Sequence, residues 1–399
     1  MKSASSTRLL LIIAYLGFIS LGLPDTLIGV AWPSVRDGFG RQQGDLAWIF
    51  FGTGASYFLS GMVTGRLLNR YGIGLLLAGS SLLVAVSGFG YGTASLWILF
   101  ASCSLLHGLG SGAIDTGLNH YVAHHFSARH MNWLHACYSI GATLGPLIMT
   151  TMLVSLNSWR AGYLTVATLL LLLTLLFAFT RRNWDASPKA GTEPEVKEAT
   201  AALNTLDALR SGVVWMQIAL FFIYTGLEVT VGQWSFTLLT ESRSIGKETA
   251  GLWVTLYWAS ITTGRILFGF VVDRLGIDRL LRLSMLGVVT GLILFALNGP
   301  AMLSAFSLSL TGLGLASIFP CLMTRTPQRM GKARAAHAIG FQVSAAMIGA
   351  AVFPSACGWL VQRSGLELVA SMALIMGITM LILHEMLLRW DARSARSTL

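Results

Sequence analysis

The stretch Gly22-Leu-Pro-Asp-Thr-Leu-Ile-Gly-Val-Ala-Trp-Pro-Ser-Val35 lies in an apolar run that begins near Leu9 and is long enough to cross a bilayer. Asp25 stands inside that run, directly after Pro24. A carboxylate at membrane depth costs a few kcal/mol or more unless it faces protein or water. Pro24 has no backbone N–H and loosens the helix beside the acid. Gly22, Asp25, Gly29 and Trp32 are spaced i, i+3, i+7, i+10 and share one face. An acid, an indole and two glycines suit the wall of a polar cavity better than a surface against lipid. The bland alternative is a buried acid that only holds helices together.

Hydrophobic residues make up 54% of the 399 and charged residues 11%, which excludes an ordinary soluble protein. The composition is that of an all-α polytopic membrane protein. The first run lacks a small-residue cleavage site and is read as a retained span. Cys103, Cys137, Cys321 and Cys357 sit in apolar segments without metal or disulfide spacing and are read as packing residues.

Apolar runs predict twelve spans, with rough limits 8–32, 45–67, 74–94, 96–122, 131–154, 160–180, 213–238, 250–272, 280–298, 300–323, 336–360 and 366–388. The long polar segment 181–211 carries Pro188, Pro194 and three Glu, and is a linker with a short surface helix expected around Leu203–Leu209. It separates an N-terminal six-helix bundle (1–180) from a C-terminal one (212–399). With a cytoplasmic N-terminus, the inner loops and tails hold 20 of the 27 Lys and Arg. The outer loops hold Arg36, Arg41, Arg160, Arg243, Lys247 and Arg363, and Arg265 falls inside a span. This bias puts both termini and the linker in the cytoplasm. The net charge of +10 therefore marks topology and requires no nucleic acid.

Shifting the chain by 204 residues aligns the halves. Gly108-Leu-Gly110 falls on Gly312-Leu-Gly314, Gly65 and Gly72 on Gly269 and Gly276, Arg70 on Arg274, Gly145 on Gly349, and Gly22-Leu23 on Gly226-Leu227. Two duplicated six-helix halves are the pattern of a transporter that rocks about a central site.

Gly65-Arg66-Leu-Leu-Asn69-Arg70-Tyr-Gly72 and Gly269-Phe-Val-Val-Asp273-Arg274-Leu-Gly276 resemble the G-x-x-x-D-R-x-G loop of the major facilitator superfamily, which occupies this position in each half. The glycines are expected to let helices approach closely. The acid is expected to cap a helix start or pair with an Arg, latching the cytoplasmic side. Asn69 replaces the acid in the first copy and cannot form an ion pair.

Within that superfamily the chain resembles the fucose–proton symporter family. The residues concerned are Gly22 to Pro33, Gly112-Ala-Ile-Asp-Thr-Gly-Leu-Asn119, Asn132-Trp-Leu-His-Ala-Cys-Tyr138 and Tyr224-Thr-Gly-Leu-Glu228 to Phe236. The resemblance implies proton handling on Asp25 and Asp115. The fucose permease pattern has Gln where His135 stands, Asn where Tyr138 stands, and tends to Gln at Glu228, so the solute need not be fucose. Gly141-x-x-x-Gly145-Pro146 resembles the start of a drug–proton antiporter motif. Met149 and Thr150 replace its trailing glycines, so it is read as close helix packing with a Pro kink.

Asp25, Asp115 and Glu228 lie well inside spans, where an apolar setting suits a carboxyl to proton loading. Asp115 shares a face with Gly108, Gly112 and Asn119. Trp32, Asn119, His135, Tyr138, Tyr224, Glu228, Gln233, Trp234 and Gln342 are the candidate substrate contacts. Aromatic faces suit sugar rings, and amides suit hydroxyls. Each also has a packing or helix-end alternative. There is no P-loop, no metal-ligand cluster and no Ser/His/Asp set, so neither an enzyme nor a cofactor is expected. The reading is a monomeric secondary transporter of the bacterial inner membrane, moving a small polar solute, a sugar first among them, with protons. Proton-driven efflux of an amphipathic compound and a non-transporting membrane sensor are the alternatives.

Overall fold

The structure, a computed structural model, describes residues 4–185 and 211–397. The surface helix expected around Leu203–Leu209 falls outside the described residues. Twelve α-helices follow in order: α1 Ala4–Asp25, α2 Leu27–Phe39, α3 Leu46–Thr93, α4 Trp97–His125, α5 Ala128–Ser155, α6 Trp159–Asp185, α7 Gly212–Thr237, α8 Lys247–Leu275, α9 Ile277–Ala296, α10 Ala301–Leu315, α11 Ile318–Ser364 and α12 Leu368–Ser397. A 3-10 turn, Gln43–Asp45, precedes α3, and a π turn, Leu238–Ser242, follows α7. No strand occurs among the described residues. Helices satisfy every interior peptide group within the segment, which the hydrocarbon core demands.

Eleven apolar helical stretches among the described residues are long enough to cross a bilayer. One of them, Gln43–Thr93, runs for 51 residues and bends at Gly72, so it supplies two crossings and brings the total to twelve. The first crossing is itself interrupted: α1 ends at Asp25, Thr26 forms a turn with φ −102° and ψ −6°, and α2 begins at Leu27. The break lies where Pro24 cannot donate to the preceding turn. Large apolar side chains such as Phe58, Phe179, Phe270, Met302 and Ile375 stand exposed.

The chain packs as two compact units. Of the described residues, the first comprises 4–185 together with 239–255, and the second 211–238 and 256–397. Residues 239–255, the link from α7 into α8, thus belong by packing to the first unit.

In the first unit the backbones of α1 and α5 meet almost directly. A side chain on Gly22 would strike the Tyr138 carbonyl oxygen, one on Gly141 the Ile19 carbonyl, and one on Gly145 the Leu23 carbonyl and Thr26 hydroxyl. Gly141 and Gly145 therefore serve close packing, as expected. Gly108 and Gly110 do the same for α4 against the two arms of α3.

The 204-residue repeat is visible in these contacts. A Cβ on Gly110 would lie 2.6 Å from the Ser80 carbonyl oxygen and 3.1 Å from the Val84 nitrogen. The second unit repeats this with Gly314, at 2.7 Å from Ser284 O and 2.9 Å from Val288 N. Gly72 and Gly276 both have φ of 76°, with ψ of 166° and 151°. Such a conformation is essentially open to glycine alone.

Two expectations about the Gly-rich loops are corrected. Gly65 and Gly269 face open space, so they do not bring helices together. Asp273 lies in the last turn of α8, and the N-cap of α9 is Gly276 without a side-chain cap, so the acid caps no helix start. Arg66, Asn69, Arg70, Asp273 and Arg274 are all exposed.

Gly72→Ala and Gly276→Ala are each expected to destabilise the protein by about 1–3 kcal/mol. Gly65→Ala and Gly269→Ala, in helical backbone with free space, are expected to be neutral or stabilising by up to about 1 kcal/mol. Melting of the purified protein in detergent checks both, and equal melting of all four variants would contradict the assignment.

Candidate functional site

Two carboxylate clusters stand in the first unit. Asp25, at the break between α1 and α2, has a partner on each oxygen. His107 Nε2 of α4 lies 2.9 Å from Oδ1, and the Tyr138 hydroxyl of α5 donates to Oδ2 at 2.9 Å. The Gly22 contact with the Tyr138 backbone sets α5 close enough for that reach. The Asp25 side chain keeps 34% exposure, whereas His107 keeps 7%. One carboxylate thus combines fixed partners with access from outside the bundle.

Asp115 is the centre of the second cluster. The Tyr57 hydroxyl of α3 donates to Oδ2 at 2.7 Å, and Asn119 Nδ2 donates to Oδ1 at 3.0 Å. The Asn119 contact follows from i, i+4 spacing on α4. Tyr57 reaches Asp115 because Gly108 and Gly112 let the α3 and α4 backbones touch along this face. His107, Ser111 and Asp115 succeed one another at four-residue intervals, so both clusters lie along one side of α4. His135 is exposed, and its ring meets Phe18 edge-on at 5.4 Å.

In the second unit Glu228 is buried. It accepts a hydrogen bond from the Tyr224 hydroxyl one turn earlier. Its other oxygen lies 3.7 Å from the Arg265 guanidinium of α8, and its backbone carbonyl accepts from the Tyr257 hydroxyl at 2.9 Å. Arg265, seen in the sequence only as a charge inside a span, is thus the partner of the only acid seen well inside the C-terminal spans. Gln342 is fully buried. It donates to Gln217 Oε1 at 3.0 Å and accepts from the Thr326 hydroxyl at 3.2 Å, forming a polar chain across α7 and the two arms of α11. Trp234 is buried with its indole N–H on the Pro354 carbonyl, and Gln233 is buried beside it.

Trp32 is fully enclosed rather than open to a cavity. Its indole N–H donates to Gln43 Oε1 at 2.9 Å. Gln43 in turn donates to Glu241 Oε2 at 3.1 Å, and Arg36 holds both Glu241 oxygens at 3.0 and 3.1 Å. This chain of contacts ties the link between α7 and α8 to α2, all within the first unit.

The sequence reading brought Asp25, Tyr138, Asp115 and Asn119 forward, and the structure places them in the two clusters. It missed His107, Tyr57, Arg265 and Gln217. A usable signal existed for His107, a titratable side chain in an apolar span two turns before Asp115 on the same face. Among the described residues no group of three or more His, Cys, Asp or Glu side chains is placed to hold a metal ion.

Tyr57→Phe removes a hydroxyl donor from a carboxylate at membrane depth and is expected to cost about 1.5–3 kcal/mol. Tyr71→Phe, at an exposed position, is the reference change. Thermal unfolding in detergent compares them, and a Tyr57→Phe variant that melts with the reference would show that Asp115 does not depend on this bond.

The chain is 23% identical over 370 residues to the glucose/mannose transporter GlcP of Bacillus subtilis, covering 91% of each chain. It is 24% identical to the human sodium-dependent glucose transporter 1, covering 86% of this chain and 72% of the relative. The crystal structure of a D-xylose–proton symporter superposes with a TM-score of 0.73 at 17% identity, covering 93% of this chain and 96% of the other, which establishes the shared twelve-helix fold. The family model of the Major Facilitator Superfamily matches residues 14–354 and 234–398. With twelve crossings, the repeated Gly-rich loops and this match across most of its length, the chain belongs to the Major Facilitator Superfamily, a family of membrane transporters rather than enzymes.

Proposed function

We propose that this protein is a secondary transporter that carries a neutral monosaccharide together with protons by alternating access. The observation that carries the reading is the pair of carboxylate clusters around Asp25 and Asp115. Each is an ionisable group at membrane depth with hydroxyl, amide or imidazole groups against its oxygens. Such a group can exist with or without its proton, whereas Glu228, beside Arg265, is charge-compensated. Residues 1–180 and 212–399 act as the two halves, with the exposed loops Gly65–Gly72 and Gly269–Gly276 in the cytoplasmic gate. Both termini are cytoplasmic, in a bacterial inner membrane, and the working unit is a monomer.

A sugar is favoured by the hydroxyl, amide and aromatic groups near the carboxylates and by the similarity to a glucose/mannose transporter. Asn119, His135, Tyr138, Tyr224, Glu228 and Gln233 are the proposed sugar contacts. Trp32, Trp234 and Gln342 are buried, with Gln43, the Pro354 carbonyl, and Gln217 and Thr326 as their respective partners. The sodium dependence in the name of the human relative makes sodium the competing coupling ion.

The test is uptake of labelled glucose, mannose and xylose by proteoliposomes under an imposed pH gradient or an imposed sodium gradient. An acidic exterior should drive accumulation, and a sodium gradient should not. Asp25→Asn and Asp115→Asn keep shape but remove titration, so each should lower gradient-driven uptake at least about tenfold. Exchange of internal for external sugar should survive in at least one of them. Glu228→Gln leaves Arg265 without its anion and should weaken affinity or stability while coupling persists. If both Asp variants still move protons with sugar and Glu228→Gln does not, coupling belongs to the second unit and the assignment is wrong.

A further inference from the structure

We propose that the coupling proton is shared by Asp25 and His107 and that the imidazole, rather than a lone carboxyl, carries it. This rests on the proton-coupled reading above and goes beyond it by naming the proton carrier. His107 is buried, comes from a different helix than Asp25, and lies with Nε2 at 2.9 Å from Oδ1. Oδ2 already accepts from Tyr138. In the unloaded pair, a neutral imidazole donates its Nε2–H to a carboxylate. In the loaded pair, one more proton sits on Nδ1, and the Nε2–H···O bond stays in place. Loading forms one N–H bond, breaks none within the protein, and changes the net charge of the pair from −1 to 0.

That change bears on movement through a membrane. An uncompensated carboxylate at this depth is costly, whereas a neutralised, hydrogen-bonded pair is far less so. A proton drives transport only where its binding differs between conformations, and a pair assembled from two helices provides that difference when the helices shift. Asp25 and His107 stand on opposite sides of the α1–α4 contact, so a small displacement stretches the bond they share. Other titratable groups around the pair include Tyr138 and His135 of α5, Tyr57 and Tyr91 of α3, and Asp115 of α4. Tyr138 bonds directly to Asp25.

The test uses the full chain in proteoliposomes, with labelled glucose as probe and a pH dye sealed inside. Wild type is expected to bring in protons with glucose. His107→Gln removes titration from the partner position, and His107→Arg keeps a cation against Asp25 that cannot release its proton. Both are expected to lose at least about tenfold in proton uptake per glucose while glucose exchange continues. Their exchange rates should also no longer follow pH. Coupling that survives in His107→Arg puts the proton on Asp25 alone and overturns the proposal. Wild-type coupling and pH profile in His107→Gln would overturn it as well, with the proton-symport reading left standing. Glucose uptake by wild type without protons, or no uptake at all, removes that reading and this proposal with it. Melting of each variant in detergent accompanies the flux measurements, and His107→Asn takes the place of His107→Gln if the latter does not fold.

Discussion

Close backbone contact between α1 and α5 is the constraint on which the first unit depends. Lipid tails are as apolar as leucine side chains, so helices in a membrane gain little by burying apolar surface against each other. They gain by fitting closely. Gly22, Gly141 and Gly145 remove the side chains that would keep α1 and α5 apart, and each would otherwise strike a backbone atom or hydroxyl of the facing helix. The same contact brings the Tyr138 hydroxyl to Asp25. Gly108 and Gly112 play the corresponding part for α4 against α3 and deliver Tyr57 to Asp115. The small residues are therefore what makes buried carboxylates tolerable. Without them the donors could not reach, and two unsatisfied charged groups would stand in the bilayer.

The two units treat buried charge differently. In the first, Asp25 and Asp115 have donors that are neutral or titratable. In the second, Glu228 lies beside a guanidinium that cannot lose its proton. A pair of that kind orients groups and resists change in charge, whereas the acids of the first unit are met by hydroxyl, amide and imidazole groups. A common ancestral half, visible in Gly72 and Gly276 with the same φ, has thus been filled with unlike polar chemistry.

How much of this could be read from the chain depends on what each feature requires. Span number, the duplication and the Gly-rich loops follow from period and spacing, which are local properties of the sequence. Asp25 and Asp115 stood out because a charge in an apolar run is conspicuous. Asn119 was within reach because i, i+4 neighbours on a helix must meet. His107, Tyr57 and Arg265 were not, because each acts on a residue of another helix. Which faces are turned together is decided by tertiary packing, on which one-dimensional periodicity carries no information. The close-approach role expected of Gly65 and Gly269 failed for a related reason. A glycine can serve free rotation, tight packing or nothing structural at all, and only the neighbouring chain distinguishes these uses. Trp32, a candidate substrate contact, is buried with its indole N–H on Gln43, a residue outside the apolar run.

The clasp of Arg36 and Gln43 on Glu241 has a consequence for how ion dependence is measured. Its charged groups are partly open to solvent, with 17% exposure for Arg36 and 27% for Glu241. Mobile ions in the medium weaken such a contact, with a Debye length falling from about 30 Å at 0.01 M to about 8 Å at 0.15 M. Adding sodium chloride therefore loosens the α7–α8 link merely by raising ionic strength, with no cation bound anywhere. A stimulation by sodium would then imitate cation-coupled transport. Only replacement of sodium by an equal concentration of a bulky inert cation separates the two, because shielding depends on concentration and valence while a binding site depends on the identity of the ion.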